Sequence, residues 1–409
     1  MTSYDCIVIG TGPAGSMALA RLGKAGVRAL GLEKAFFPRR KTCAGALSGA
    51  AISLLPLGFQ HLVRQKTVQV DVHCLPGGLV RSFQFTEPIA HLIDRDQFDG
   101  FLQQQARDAG AIIREGERVM AVETCLDGAI VHSSGGSYRS QVVIGADGAH
   151  SIVARSQGLR PPVSGLGLEV ELDLSPRLQR EFAGRIIIHY GEPPNGYSWA
   201  FGKGDHASFG VALLQSRPPD PRPYLERFLK RLDLPFPQNI PWRGHPIPLG
   251  GKNHPVSAHR IILAGDAAGL TDPFTGEGIA YALESGRLAA AHALGALQTG
   301  DFAFTEYSQE VQARIVSQLE IARKMAKIFY LMPSLTSYCL EHQSWLVERY
   351  FQMVRGDLDY AMLLGEIRGH LSVPNLPEKQ NQPRTRQLQD IPKAGPAYLQ
   401  QNHKSQDKG

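Results

Sequence analysis

A glycine turn near the start of the chain constrains its fold more than any other feature. An apolar run of strand character, Asp5 to Gly10, meets a stretch rich in helix formers, Ala14 to Lys24, through Gly10-Thr11-Gly12-Pro13-Ala14-Gly15, and a second apolar run, Ala29 to Glu33, follows. Gly10 permits the tight turn, Gly12 lets backbone approach a pyrophosphate, and Gly15 lets the helix lie close to the strand. The helix start offers its unpaired amides to phosphate oxygens. Glu33, eighteen residues beyond Gly15, is placed to accept hydrogen bonds from ribose hydroxyls. Strand, turn, helix and strand in this order make a βαβ unit, which requires a parallel sheet covered by helices. The motif points to a dinucleotide and leaves NAD and FAD undistinguished.

Such units recur along the chain. The apolar runs ending in Val142-Val-Ile-Gly145-Ala-Asp147-Gly148 and Arg260-Ile-Ile-Leu-Ala-Gly265-Asp266 read as buried strands, and an Ala-rich helix is expected over Glu277 to Leu297. Between them lie alternating, β-branched segments broken by Gly and Pro: an antiparallel hairpin over Thr67 to Phe85, several strands over Ile112 to Ile144, and strand-rich sequence over Gly165 to Leu214. Helices are expected over Asp96 to Ala109, with Asp94 as cap, over Tyr224 to Leu232, and beyond Asp301 with a break at Pro333. The predicted fold is therefore α/β: one discontinuous Rossmann-like domain (1–60, 95–160 and 255–300) with an inserted antiparallel-sheet substrate domain (61–94 and 161–254) and C-terminal helices (301–370). A polar tail rich in Pro, Gln and Lys, 371–409, has too little apolar area to offset the entropy of ordering, so disorder is expected there.

Composition narrows the class. A chain of 409 residues, 43% hydrophobic and 20% charged, is a globular protein with roughly two or three domains' worth of material. Its formal net charge of +5 does not require nucleic acid as a partner. Five scattered cysteines without a CxxC pair argue against a disulfide framework and a zinc site, and no metal is expected. No run of ~18 apolar residues marks a spanning helix, and the start lacks a signal-peptide pattern. The expected location is cytoplasmic, with peripheral contact to a membrane left open.

Taken together, the three glycine-acid segments resemble the flavoprotein superfamily of aromatic hydroxylases, flavin halogenases and geranylgeranyl reductases. Two further segments resemble the geranylgeranyl reductase family in particular: Lys41-Thr-Cys43-Ala44-Gly45, similar to its KxCGG-type segment, and Pro194-Asn-Gly-Tyr197-Ser-Trp199-Ala-Phe201-Gly-Lys203 with the trailing Gly210, similar to its PxxYxWxFPK segment. The sequence departs from the pattern at Ala44 and Gly202. The resemblance implies FAD, held by Gly10, Gly12, Pro13, Ala14, Gly15, Glu33 and Lys34, with Asp266 on the ribityl chain, Cys43 and Ala44 along the flavin, Arg95 near it, and Asp147 and Gly148 in support. Gly265, Pro273, Gly276, Glu277, Gly278 and Ile279 complete the set. Glycines and a helix start at one place offer amides to the negative charge that develops on reduced flavin.

Tyr197 and Trp199 alternate with Ser198 and Ala200, so both rings, with Phe201 beyond them, project from one strand face and are candidates to line a groove for an apolar chain. The same alternation suits ordinary sheet-core aromatics. Lys203 reads either as a solvated sheet-edge lysine or as a phosphate contact, and Arg39-Arg40-Lys41 either as a phosphate-holding patch or as solvated charge. Arg95 likewise suits a surface ion pair. The segment Lys327 to Leu340 reads as core packing or as a wall of a lipid-facing entrance. No catalytic residue stands out; Cys43, Tyr197 and Trp199 are the candidates.

The resemblance implies reduction of carbon-carbon double bonds in a prenyl chain, with hydride from reduced flavin and NAD(P)H or a transiently bound protein such as ferredoxin as electron donor. The alternatives are a flavin monooxygenase or halogenase of the same fold, and a non-catalytic flavin electron-relay protein.

Overall fold

In a computed structural model, which describes residues 1–75, 77–159, 165–234 and 243–372, the run after Met1 becomes the central strand Thr2–Ile9 of an eight-stranded sheet. Its neighbours are Gly136–Gly145 and Ala29–Leu32, both parallel to it, and Ile261–Leu263 and Ile112–Arg114 extend the parallel order on either side. Strands buried on both faces must be apolar throughout, and Ile7, Val8, Leu30, Val142, Val143, Ile261 and Ile262 are all sealed from solvent. The three segments ending in Gly10, Gly145 and Leu263 thus stop side by side at one sheet edge, where parallel sheets carry their ligands.

Helix Pro13–Lys24 packs on this sheet between helices Arg95–Asp108 and Ile279–Thr299. Gly10 turns into it with φ of +86°, and a side chain there would lie 2.4 Å from the Ala146 carbonyl oxygen. Asp94 stands at the N-cap position of Arg95–Asp108 but does not cap it: its carboxylate is drawn instead to His206, Lys203 and Arg64.

The second sheet has seven strands, in the order Arg243–Ile247, Gly165–Asp173, His206–Leu213, Gly196–Gly202, Arg185–Tyr190, Gln69–Cys74 and Leu79–Gln84. The hairpin expected over Thr67 to Phe85 forms as its last two strands. The sheet is not wholly antiparallel as expected. Arg185–Tyr190 and Gln69–Cys74 run parallel, because two strands from widely separated chain segments meet there after a long crossover.

Period-2 alternation splits this sheet cleanly. Val70, Val72, Ile186, Ile188, Tyr197, Trp199 and Phe201 share one face, while Ile187, Ala200, Phe209 and Val211 share the other, under helix Arg222–Arg231 with its Leu225, Phe228 and Leu229. A short three-stranded sheet, Ala46–Leu47, Ala90–Ile93 and Val63–Thr67, stands beside them.

After the long Ala-rich helix, Thr305–Val311 returns to the first sheet, where the Tyr307 hydroxyl donates to the Leu263 carbonyl at 2.6 Å. Helix Ser317–Leu331 ends at the expected break, and Pro333–His342 and Ser344–Arg355 follow. Residues 1–367 form one unit; of a second unit, 368–409, only the end of a helix up to Ser372 belongs to the described residues. The expected tail lies outside them from 373 on. Among the described residues, no helix is long and apolar enough to cross a membrane.

Candidate active site

A cavity of about 1150 Å³ runs from the glycine turn to the apolar face of the second sheet. Its polar end begins at helix Pro13–Lys24. The N-cap there is Gly12, which has no side chain to satisfy the first amides, and Pro13 and Ala14 line the cavity with it. Thr11 is held from behind: its amide and hydroxyl donate to Glu33 at 3.0 and 3.3 Å, and the Gln103 amide donates to its hydroxyl at 2.9 Å. Glu33 is 4% exposed, at the cavity wall, and also accepts from the Ala35 amide.

The loop after Glu33 brings cations to this end. Arg39 lies 3.3 Å from Asp99, and its Nε is buried with no hydrogen-bond partner. Arg40 is solvated, whereas Lys41 turns inward, 3.5 Å from Asp266 and 2.6 Å from His245 Nε2. Burial pushes the Lys41 ammonium below its ordinary pKa, against the pull of Asp266. Burial, reinforced by Lys41, brings His245 down to about 4. Each member of the Arg-Arg-Lys run therefore has its own environment, two inside and one out. Arg95 is not on the surface. It forms a two-pronged buried pair with Asp99 at 2.9 Å and also bonds the Cys43 side chain. Burial opposes its charge, but Asp99 more than restores it and raises the pKa.

The Lys41–Gly45 loop crosses the middle of the cavity. The Cys43 amide donates to Glu169 at 2.7 Å, Glu169 accepts from the Ser208 hydroxyl at 2.6 Å, and Ser208 accepts from the Trp199 indole at 2.9 Å. This buried chain couples the loop to the sheet, and burial raises the Glu169 pKa. Lys203 fulfils neither reading made of it: 1% exposed, it sits 3.4 Å from both Asp94 and Glu171 as their buried counter-ion. The three groups Asp94, Glu171 and His206 are close enough for a metal, but that ammonium already supplies their positive charge.

The second polar rim is Phe274 to Ile279. Helix Ile279–Thr299 starts here on Gly278, again with no side-chain cap and no acid in its first turn, and Gly276 to Ile279 line the cavity. Asp272 braces the loop, accepting from the amides of Phe274 and Thr275 and from the Tyr360 hydroxyl at 2.6 Å. Glu277 accepts from Ser48 at 2.8 Å, and burial pushes its pKa up to about 7.

Tyr197, Trp199 and Phe201 do line the cavity on one face, and they are also members of the sheet core, so the groove and core readings both describe them. Opposite them stand Val347, Tyr350 and Phe351 of Ser344–Arg355 and Phe329 of Ser317–Leu331. Among the predicted cofactor residues, Gly10, Gly12, Pro13, Ala14, Glu33, Lys34, Cys43, Ala44, Arg95, Asp147, Gly148, Asp266, Gly276, Glu277, Gly278 and Ile279 meet at this one cavity. Gly15, Gly265 and Pro273 are not on its wall. Asp147 spends its carboxylate on capping Ile152–Ser156, accepting from Ser151 and from the Ile152 amide at 2.6 Å.

Sequence reasoning missed Glu169, Ser208, His245, Asp272 and the aromatics of Ser344–Arg355, whereas Phe329 belongs to the segment Lys327 to Leu340 that was read as core packing or an entrance wall, and it lines the cavity. Glu169 carried no distinguishing signal, because in Leu168-Glu-Val-Glu-Leu-Asp173 the acids alternate with apolar residues as on a solvated strand face, and only the structure shows that face covered at Glu169. The aromatics of Ser344–Arg355 carried none either, because helical periodicity does not say which core a helix joins.

Comparison with known proteins agrees with this geometry. Residues 3–173 match the FAD binding domain family. The chain is 30% identical over 333 residues to an uncharacterised protein of Methanosarcina barkeri, covering 81% of this chain and 84% of that one. It is 28% identical over 342 residues to the digeranylgeranylglycerophospholipid reductase of Methanosarcina acetivorans, covering 76% and 80% respectively. Among solved structures, a geranylgeranyl bacteriochlorophyll reductase-like protein of Thermoplasma acidophilum superposes with a TM-score of 0.72 at 23% identity, over 90% of this chain and 96% of that one. A flavin-dependent brominase superposes with a TM-score of 0.67 at 19% identity, over 90% and 99%.

Proposed function

The chain belongs to the geranylgeranyl reductase-like family of FAD-dependent oxidoreductases, and on that premise we propose that it hydrogenates carbon-carbon double bonds in a prenyl chain of the geranylgeranyl type. The observation that carries the proposal is the continuity of one cavity from a dinucleotide-type turn, past the Cys43 loop, to an apolar lobe faced by Tyr197, Trp199 and Phe201. At about 1150 Å³ it exceeds the ~300–1,000 Å³ of ordinary small-ligand clefts, as a cofactor and a long chain together require.

The donor set suits FAD. Two uncapped helix starts, at Gly12 and Gly278, open into the cavity, and Arg39 Nε is a buried donor in want of an acceptor. A pyrophosphate would satisfy Arg39 and the Gly12 turn, Glu33 would take ribose hydroxyls, and Asp266 with Lys41 would hold the polyol. When bound and reduced, FAD supplies hydride. The chain's own residues do the rest: the aromatic strand face orients the alkene and excludes water, and Glu277 holds a proton near neutrality at the cavity wall. Because the chain carries one glycine fingerprint, which FAD would take, the electron donor we assign is NAD(P)H visiting transiently or a carrier protein such as ferredoxin.

Anaerobic incubation of the reduced protein with prenyl lipids, read by mass, tests the proposal. Gain of two hydrogens per alkene is the expected result. Strict dependence on oxygen, with gain of an oxygen or a halogen atom, would instead establish the monooxygenase or halogenase reading. A reducible flavin protein that alters no lipid would establish electron relay.

A further inference from the structure

The break at Pro333 carries a feature that the reaction does not require. Ile328, Leu331, Met332, Leu335 and Tyr338 are 55, 56, 50, 41 and 53% exposed, and the five residues Leu331 to Leu335 are exposed without interruption. Scattered exposed leucines need no explanation, but five large apolar side chains on one helical corner form a patch. The corner is also the cavity's outer wall. Ile328 and Leu335 border both patch and cavity, and Phe329, Thr336 and Cys339 turn inward beside them.

Charge at the patch is one-sided. Arg323, Lys324 and Lys327 are exposed on the last turns of Ser317–Leu331, and none has a carboxylate partner among the described residues. At the far end, Glu341 is neutralised by Arg81 at 2.9 Å. Lys324, Lys327, Ile328 and Leu331 follow the i, i+3, i+4, i+7 spacing of one helix face, so the cations flank the apolar tip rather than opposing it.

We infer that this corner, Ile328 to Tyr338 with Arg323, Lys324 and Lys327, docks the protein on an anionic lipid surface, over the mouth through which an apolar chain enters the cavity. The inference rests on the prenyl-chain reading above for what enters, and on the patch itself for what is docked upon. Apolar tips inserted at the headgroup boundary and cations beside them are the two elements that hold interfacial helices to anionic bilayers. Two like-charged corners would repel, which disfavours a second copy of the chain as occupant.

The test uses the full-length FAD-loaded protein and vesicles of phosphatidylcholine with or without phosphatidylglycerol. Co-sedimentation is expected with the anionic vesicles only, weakening as salt rises. Leu331→Glu with Met332→Glu, both outside the cavity wall, should lower binding at least ~10-fold, and Lys324→Glu with Lys327→Glu should lower it several-fold. Both variants should keep wild-type turnover of detergent-dispersed prenyl lipid. Failure of the wild type to bind anionic vesicles, or full binding by the leucine-methionine variant, would overturn the inference. A wild-type dimer that these variants make monomeric, with no vesicle binding, would also overturn it and assign the patch to self-association. Vesicle binding by a protein that hydrogenates no dispersed lipid would overturn the prenyl reading alone.

Discussion

The hydroxyl of Tyr197 donates to the backbone carbonyl of Thr275 at 2.7 Å, joining the aromatic strand of the second sheet to the loop that opens the Ala-rich helix. The two ends of the cavity are registered to each other through this bond. Its removal should loosen the loop without emptying the groove. Tyr197→Phe is expected to cost about 1 kcal/mol of stability and to weaken FAD binding modestly, as read by thermal unfolding and flavin titration. An unchanged flavin affinity would mean that the loop is held by Asp272 alone.

Gly210 faces Trp199 across adjacent strands, and a side chain added there would lie 2.1 Å from the indole ring and 2.6 Å from the Leu168 carbonyl oxygen. Gly210→Ala should therefore displace the indole and break its bond to Ser208. The expected loss is ~1–3 kcal/mol, with a changed tryptophan emission spectrum. A variant with native stability and emission would contradict this packing.

At Gly15 the added atom would fall 1.9 Å from the Gly10 carbonyl oxygen, backbone against backbone. Gly15→Ala should push the helix start off the turn, so the purified protein is expected to carry little FAD while retaining secondary structure. Circular dichroism and the flavin-to-protein absorbance ratio separate the two effects.

His189 is 3% exposed, stacked on His73 with ring centroids 4.2 Å apart, and neither of its ring nitrogens has a partner. Burial, with His73 and Arg231 adding to it, brings its pKa down to about 3 from an ordinary 6.5. A depressed pKa means stability that is present above 6.5 and is lost as pH falls towards 3. His189→Phe should flatten this acid limb in melting temperatures measured from pH 7 down to ~4, and should not destabilise at neutrality, since it removes two unsatisfied nitrogens.

Glu277 works in the opposite direction. Its pKa is raised to about 7 from 4.5 by burial, so its contribution is full below 4.5 and declines as pH rises through 7. Glu277→Gln in the flavin-free protein should remove that decline, worth at most about 3 kcal/mol. Equal pH slopes for wild type and variant would place the carboxyl's charge in a solvated setting.

Much of the fold was legible in local sequence because its information is local. A turn that needs glycine at positions 10, 12 and 15, strands sealed on both faces, and a helix broken at Pro333 are each dictated by a few neighbouring residues. The alternation at Tyr197, Trp199 and Phe201 likewise told which side chains share a face, since the period of a strand is two.

What lies opposite that face is a different kind of information. Arg95 read as flavin neighbour or surface ion pair until Asp99 buried it, and Lys203 as a solvated lysine or a phosphate contact until Asp94 and Glu171, each far away in the chain, enclosed its ammonium. The parallel seam between Arg185–Tyr190 and Gln69–Cys74 was equally hidden. By itself the sequence determined the dinucleotide turn, the order of layers and the aromatic strand face. Only the tertiary structure decided which charges are paired in the dark and which helices close the cavity, because the energy of a buried charge and the fit of a packed helix depend on partners that chain order does not bring near.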